Sequence, residues 1–448
     1  MSGTQKSKID MTTGHIMKNI ILFAIPIIIG NVLQQLYTTV DAIVIGKYCG
    51  DTSLAAVGTS SQPVEVLLCV FLGIGTGVSI LISQYTGARE SGKVVSVCGT
   101  SITFIYIIGI PIGILGWFAA PYILEFMKVP QDVWNAALIY TRVVFLGTLG
   151  NLGYNMNAGI LRGLGDSKAS LWFLVVSCVF NIVFDLLFVA GVGMDVAGAA
   201  LSTSIVSIVY IRKKFPEIQF TFLPRRFSGT MMKDILAIGL PVGLNNSLYS
   251  LGHVALQTFN NSQGAIFMAG GAVAGRITGC SNIAITGLSS AATTFSGQNY
   301  GAKKYARIKE GHWRIPLCSG LITLGFGLFF IMIHKPIIRF FSSDEMVLMY
   351  ASRHVVVMLL SQWFFAIFNC IISIVNGTGK VRYTTIVNIL MLWAVRIPSA
   401  YIINRYFDGT WVMLCFPISF SFGMFAMIGY YLFSPAWKEV MRLAEKNS

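Results

Sequence analysis

The chain has 448 residues, of which 55% are hydrophobic and only 11% charged, where a soluble domain carries about 25% charged residues. With a mean hydropathy of +0.71 it cannot cover a surface with polar groups, which excludes a cytosolic enzyme, a secreted disulfide scaffold and a disordered protein, and puts the chain in a bilayer. The excess of 32 Lys and Arg over 18 Asp and Glu, a formal +14, would suggest nucleic acid for a soluble protein; here basic inner loops explain it, and no nucleic-acid partner is expected.

Cutting at charged or turn-rich breaks predicts twelve apolar spans, roughly 17–45, 54–82, 94–119, 133–157, 168–190, 196–211, 234–258, 268–296, 315–333, 350–375, 383–403 and 411–433. Most are long enough to cross about 30 Å of hydrocarbon at about 1.5 Å per residue. The first is too long, and too polar in its outer half, for a signal peptide and is expected to stay. An even number puts both termini on one side. With that side cytoplasmic, the inner segments hold most of the basic residues, among them Arg212–Lys214, Arg225, Arg226 and Lys303–Arg307. The outer ones hold only Lys47, Lys128, Lys335, Arg339, Arg353 and Arg405, as the positive-inside rule requires. The eight cysteines come no closer than twenty positions and form no CxxC, so neither a disulfide framework nor a metal site is expected.

The second half repeats the first. Gln84, Gly87 and Ala88 after span 2 recur as Gln298, Gly301 and Ala302 after span 8, each 214 positions on. Gly163 and Gly165 recur as Gly377 and Gly379 at the same spacing, and Pro26 recurs as Pro241, 215 on. Six spans per repeat is even, so both halves insert in one orientation, related by an axis along the membrane normal. The expected fold is all-α: twelve transmembrane helices in two six-helix bundles, with lobes at 1–211 and 234–448 and a cytoplasmic linker at 212–233. The chain is expected to be a monomer in the lipid bilayer.

Ionisable groups inside a membrane cost about 2.5–3.5 kcal/mol at its centre and need a reason. In span 1, Asn31, Gln34, Gln35, Thr38 and Asp41 step by threes and fours along one helix face. Asn181 and Asp185 share a face of span 5, and Thr203 lies in span 6. Counted from the outer ends, Asp41 is about 6 Å deep, Asp185 about 8 Å and Thr203 about 10 Å. Two carboxylates, an amide and a hydroxyl at one depth can share a proton or supply oxygen ligands to Na⁺; the alternative is a hydrogen-bond network that only ties helices together. The second half has no equivalent acid pair. Glu65, about 16 Å deep, either draws in a cationic substrate or pairs with a buried arginine such as Arg276. His253 either titrates or is structural. Arg276 and Arg396 are expected to tie helices through carbonyls or acids. The many Phe and Met side chains offer a soft apolar lining for loosely specific ligands.

No GxxxxGK[ST], HExxH or GxSxG motif occurs, so ATP is not the energy source and no cofactor is expected. An ion gradient remains, worth about 2.3 kcal/mol per charge per 100 mV.

The pattern Ala24-Ile25-Pro26, then Gly46-x3-Gly50-Asp51-x2-Leu54-Ala55-Ala56-Val57-Gly58, resembles the multidrug and toxic compound extrusion (MATE) family. So do Gln84-Tyr85-x-Gly87-Ala88, Leu161-Arg162-Gly163-x-Gly165-Asp166 and Gly297-Gln298-Asn299-Tyr300-Gly301-Ala302, and the likeness covers about residues 15–435. It looks closest to the bacterial and archaeal branch named for DNA-damage-inducible members. That resemblance implies a cation site on Asp41, Asn181, Asp185 and Thr203, which would be the metal ligands if Na⁺ is the coupling ion. It implies H⁺- or Na⁺-coupled efflux of organic cations and amphipathic drugs across the cytoplasmic membrane; the polar residues of the spans add Gln34, Thr38, Glu65, Arg276 and His253 as substrate-cavity candidates. The chain departs from the pattern twice. The span 7 acid of another branch is replaced by Ser250-Leu251-Gly252-His253, and span 6 is short, Val196 to Ile211. A lipid-linked glycan flippase of the wider superfamily is the alternative; it needs a strongly basic cavity, and only Arg142, Arg276 and Arg396 lie in spans. A membrane-embedded enzyme would need a nucleophile–base set or metal ligands that no motif supplies.

Overall fold

The computed structural model describes residues 9–126, 129, 134–184 and 227–446; for 37–67 and scattered positions between 126 and 184 it describes the backbone alone. Every regular element among the described residues is helical. In the first half α1 is Ile16–Gly87, α2 Ser91–Phe126, α3 Trp134–Gly163 and α4 Ser167–Phe184. In the second, α5 is Gly229–Asn261, α6 Ala265–Gly301, α7 Tyr305–Phe341 and α8 Glu345–Gly377. α9 (Val381–Ile389) passes through a π turn, Leu390–Arg396, into α10 (Ile397–Tyr406); a 3-10 turn, Gly409–Leu414, leads into α11 (Cys415–Phe433), and α12 is Pro435–Lys446.

Among the described residues, seven segments are long and apolar enough to cross a membrane: Ile16–Leu36, Leu68–Gly87, Ser91–Glu125, Tyr305–Phe341, Glu345–Gly377, Val381–Tyr406 and Gly409–Phe433. The predicted sixth span lies outside the described residues. Two expectations change. The break expected between spans 1 and 2, at 46–53, is helical, and both apolar segments belong to α1. Lys47 and Asp51 interrupt the hydropathy there without removing a backbone donor, and a glycine costs only about 1 kcal/mol in a helix. A helix also follows the last predicted span: α12 begins with Pro435 and buries Trp437, Val440 and Ala444. Trp437 stacks on Tyr431 at 4.6 Å, and Lys309 reaches Glu445 at 2.8 Å.

The chain divides into two compact units, Met1–Asp10 with Ile25–Ser247, and Met11–Ala24 with Leu248–Ser448. In the first, glycines let helices touch backbone to backbone, the usual device where lipid removes the hydrophobic drive. A Cβ on Gly73 would stand 2.1 Å from the Cα of Gly243, and one on Gly77 2.7 Å from the nitrogen of Gly239, so α1 and the start of α5 meet through two GxxxG pairs. On another side, a Cβ on Gly159 of α3 would stand 2.4 Å from the Gly75 carbonyl oxygen.

In the second unit, Ala274, Ile277, Ile338, Leu348, Ala351, Val355 and Leu359 form a core between α6, α7 and α8. Across it Gln362 Nε2 donates to the Thr278 carbonyl at 3.3 Å, and Ser296 Oγ to that of Ile374 at 2.6 Å. Met11 is fully buried here: its N–H donates to Gln298 Oε1 at 3.0 Å, and its carbonyl accepts from Asn299 Nδ2 at 3.0 Å. Lys304 Nζ donates to the Thr12 carbonyl at 2.8 Å.

The repeat is visible in the backbone. Arg89 and Lys303 hold φ of 58° and 57°, and Gly165 and Gly379 hold 90° and 83°, each pair 214 positions apart. The N–H of Ala88 bonds the Gln84 carbonyl, and that of Ala302 the Gln298 carbonyl, both at 2.9 Å.

Candidate functional site

The sequence-derived site falls mostly where side chains are not described. Thr38, Asp41 and Glu65 belong to α1 and Asn181 to the last turn of α4, with backbone alone described; Asp185 and Thr203 lie outside the described residues. Gln34 is exposed on α1. His253 is exposed on α5, its ring 4.8 Å from that of Tyr249, edge to face. Arg276 is exposed on α6, with its guanidinium 5.6 Å from the centre of the Phe341 ring.

Arg396 was expected to tie helices through carbonyls or acids. It does tie them, but through hydroxyls and rings. The side chain is fully buried at the end of the π turn. Pro398, two residues on, has no N–H to give the turn before it and crowds that turn with its ring. The helix widens there: the N–H of Ile397 reaches back five residues to the Leu392 carbonyl. π turns of this kind are frequent at functional sites.

Around Arg396, Nε donates to Ser419 Oγ of α11 at 2.9 Å and Nη1 to Tyr249 Oη of α5 at 3.3 Å. The Ser419 hydroxyl donates onward to the Phe416 carbonyl at 2.9 Å, which turns its lone pairs toward the guanidinium. The rings of Phe416 and Phe420 each stand 4.9 Å from the guanidinium carbon and that of Tyr249 5.4 Å. Nη2 is buried and has no hydrogen-bond partner among the described residues.

Magnitudes explain how this charge is tolerated. Insertion costs about 2.5–3.5 kcal/mol at mid-membrane. A hydrogen bond to a charged group returns about 1.5–3 kcal/mol, and a desolvated cation–ring contact up to about 2. Among the described residues, two bonds and three rings therefore hold the guanidinium and no carboxylate does. Those partners leave its outer nitrogen unsatisfied. Such a planar, permanently charged donor matches oxyanions. Sequence reasoning singled out Arg396 but not its hydroxyl and ring partners, because Tyr249 and Ser419 lie far away in the chain. The one available signal was numerical: the repeat spacing is 214 at Gly165 and Gly379, just before this turn.

Comparison with known proteins extends that signal. The MatE family model matches the chain twice, over residues 26–187 and 241–402, two blocks of equal length whose ends differ by 215. Over 452 residues the chain is 27% identical to the probable multidrug resistance protein YoeA of Bacillus subtilis, covering 96% of each. Among solved structures, MATE in complex with MaD3S matches with a TM-score of 0.85 at 24% identity, covering 99% of this chain and 100% of that one. The outward-facing conformation of a multidrug resistance MATE family transporter of the MOP superfamily matches at 0.83, also at 24% identity and with the same coverage. These likenesses show the fold, an all-α membrane architecture, and agree with twelve spans in two six-helix lobes.

Proposed function

Because this chain belongs to the MatE family, whose members are transporters and not enzymes, we propose that it is a secondary active multidrug exporter. It expels organic cations and amphipathic drugs in exchange for H⁺ or Na⁺. Asp41, Asn181, Asp185 and Thr203 form the coupling site. In the outward-open state the two acids take up the ion, their hold on a cationic substrate weakens, and the substrate leaves. Pro26 offers a point for α1 to bend, since its missing N–H leaves a carbonyl unpaired. Gln34, Thr38, Glu65, Arg276 and His253 line the path of the drug.

The observation that carries this reading comes from the repeat. On the 215 spacing that relates Pro26 to Pro241 and the ends of the two family blocks, Asp41 corresponds to Leu256 and Asp185 to Ala400. Leu256 and Ala400 belong to one buried cluster, with Phe267, Val412, Met413 and Cys415. The second repeat thus packs these two helix positions together around apolar side chains. The same packing in the first repeat would bring two carboxylates into one pocket, where burial and mutual repulsion favour uptake of a cation. The absence of acids at Leu256 and Ala400 supports coupling through one lobe only.

The asymmetry of Lys and Arg supports both termini on the cytoplasmic side, and the bacterial relatives support a bacterial or archaeal cytoplasmic membrane. The four-residue pattern supports the branch named for DNA-damage-inducible members, and a monomer with lobes at 1–211 and 234–448 suffices for the cycle. The test is dye efflux in membrane vesicles with pH and Na⁺ gradients imposed separately. Asp41→Asn should drop gradient-driven efflux to near background; normal expression with undiminished efflux would remove the claim.

A further inference from the structure

Besides the acids, the two repeats differ in charge at the position of Asn181. On the 215 spacing, Asn181-Ile182 corresponds to Arg396-Ile397. The spacing is 214 at Gly165 and Gly379 and 215 between the ends of the two family blocks, a difference that one extra residue between Gly379 and the end of the second block would account for. The π turn Leu390–Arg396 lies in that interval and is the kind of widened turn that absorbs a single insertion. It ends on Arg396. Where the first repeat carries an amide four residues before an acid, the second carries a guanidinium four residues before Ala400.

We propose that Arg396 is the anchor of an anion site in the second unit, one that takes the carboxylate of an amphipathic aromatic molecule. The proposal rests on the reading that the chain moves such molecules, and it adds an acidic class to the cationic one. Four observations carry it. Arg396 is fully buried, yet among the described residues no carboxylate pairs with it. Among the described residues Nη2 has no partner, and the Nη1 bond to Tyr249 is long at 3.3 Å. The short bond from Nε to Ser419 fixes the plane of the fork, leaving its Nη1–Nη2 side for a two-pronged contact with a carboxylate. Phe416, Phe420 and Tyr249 surround the charge with aromatic surface that would receive the rest of the ligand. Toward the surface from the guanidinium lie Tyr249, which is half-buried, and His253, which is exposed and packs on its ring, so the proposed ligand would enter past them. An entering carboxylate displaces the Tyr249 hydroxyl from Nη1 and gains Nη2.

The experiment is equilibrium binding by the purified full chain in neutral detergent, read by fluorescence polarisation with no gradient. The probes are a rhodamine with a free carboxylate and the methyl ester of the same dye. The wild type should bind the acid at least tenfold more tightly than the ester. Arg396→Met should reduce that ratio to below twofold mainly by weakening the acid, and Arg396→Lys should keep part of it. Equal binding of acid and ester by the wild type would overturn the proposal, and that comparison stands even if Arg396→Met fails to fold. So would an Arg396→Met protein that folds and keeps the preference, or that loses acid and ester equally. Displacement of the acid by phosphatidylglycerol micelles, with no preference over the ester, would put a lipid phosphate in the site and equally overturn it. Acid preference without gradient-driven efflux would sink the transport reading alone; efflux without acid preference would sink this one alone.

Discussion

Gly165 and Gly379 sit 214 positions apart with φ of 90° and 83°, in a region an L side chain enters at about 1–2 kcal/mol. Their turns close through the N–H of Gly165 to the Arg162 carbonyl at 3.0 Å and that of Gly379 to Asn376 at 2.8 Å. Gly379→Ala should therefore lower stability by about 1–2 kcal/mol, read as a lower melting temperature in detergent. Lys303→Gly, at φ 57°, should not lower it to the same degree. Among titrating groups, the Lys309 ammonium donates to the Glu445 carboxylate and holds it below the ordinary carboxylate range. A lowered folded value means that the pair's contribution is complete above the unfolded value of about 4.3 and is lost as pH falls through the lowered one. Hydrogen exchange across 435–446, corrected for intrinsic rates, should quicken below about pH 4 and stay flat between pH 6 and 8. In a Lys309→Met protein, where nothing of that pair lowers the Glu445 carboxyl, the acid-dependent step should largely disappear. These residue-level features differ in how openly the sequence displays them. The glycines are plain from their recurrence, whereas Arg89 and Lys303 look like ordinary basic loop residues and declare their conformation only in the backbone.

At the scale of elements, the contact between α1 and α5 depends on having no side chain at four places. Gly73→Ala puts a Cβ 2.1 Å from the Cα of Gly243, where only backbone can give way. Overpacking of this kind costs about 1–3 kcal/mol, and the loss should appear as reduced folded yield and melting temperature. Gly275→Ala on α6, where a Cβ meets nothing within 4 Å, should instead be neutral or stabilising by up to about 1 kcal/mol. Hydropathy located most of the helices because an apolar run long enough to cross lipid has few alternatives. It misplaced a boundary at 46–53, since charge interrupts hydropathy but not helical hydrogen bonding. It missed α12 because an amphipathic helix is polar on average. Pro435 at its start and Trp437, Val440 and Ala444 at steps of three and four were the available signs. The π turn left only the one-residue change in spacing. The acids of the first half stand out in the sequence because carboxylates in apolar spans are rare, but their side chains lie outside the described residues. Arg396 was legible as a residue but not in its surroundings, which come from α5 and α11.

For the whole molecule, each compact unit is completed by a segment from the other half of the sequence. Met11–Ala24 belongs with the second unit, and Gly229–Ser247, carrying Gly239 and Gly243, belongs with the first. Severing the polypeptide anywhere between 212 and 226 would therefore produce two fragments, neither of which holds a complete fold. The leading fragment would lack the helix that covers Gly73 and Gly77, and the trailing one would lack the strand of chain that Gln298 and Asn299 grip. Only co-production of both pieces could restore either body.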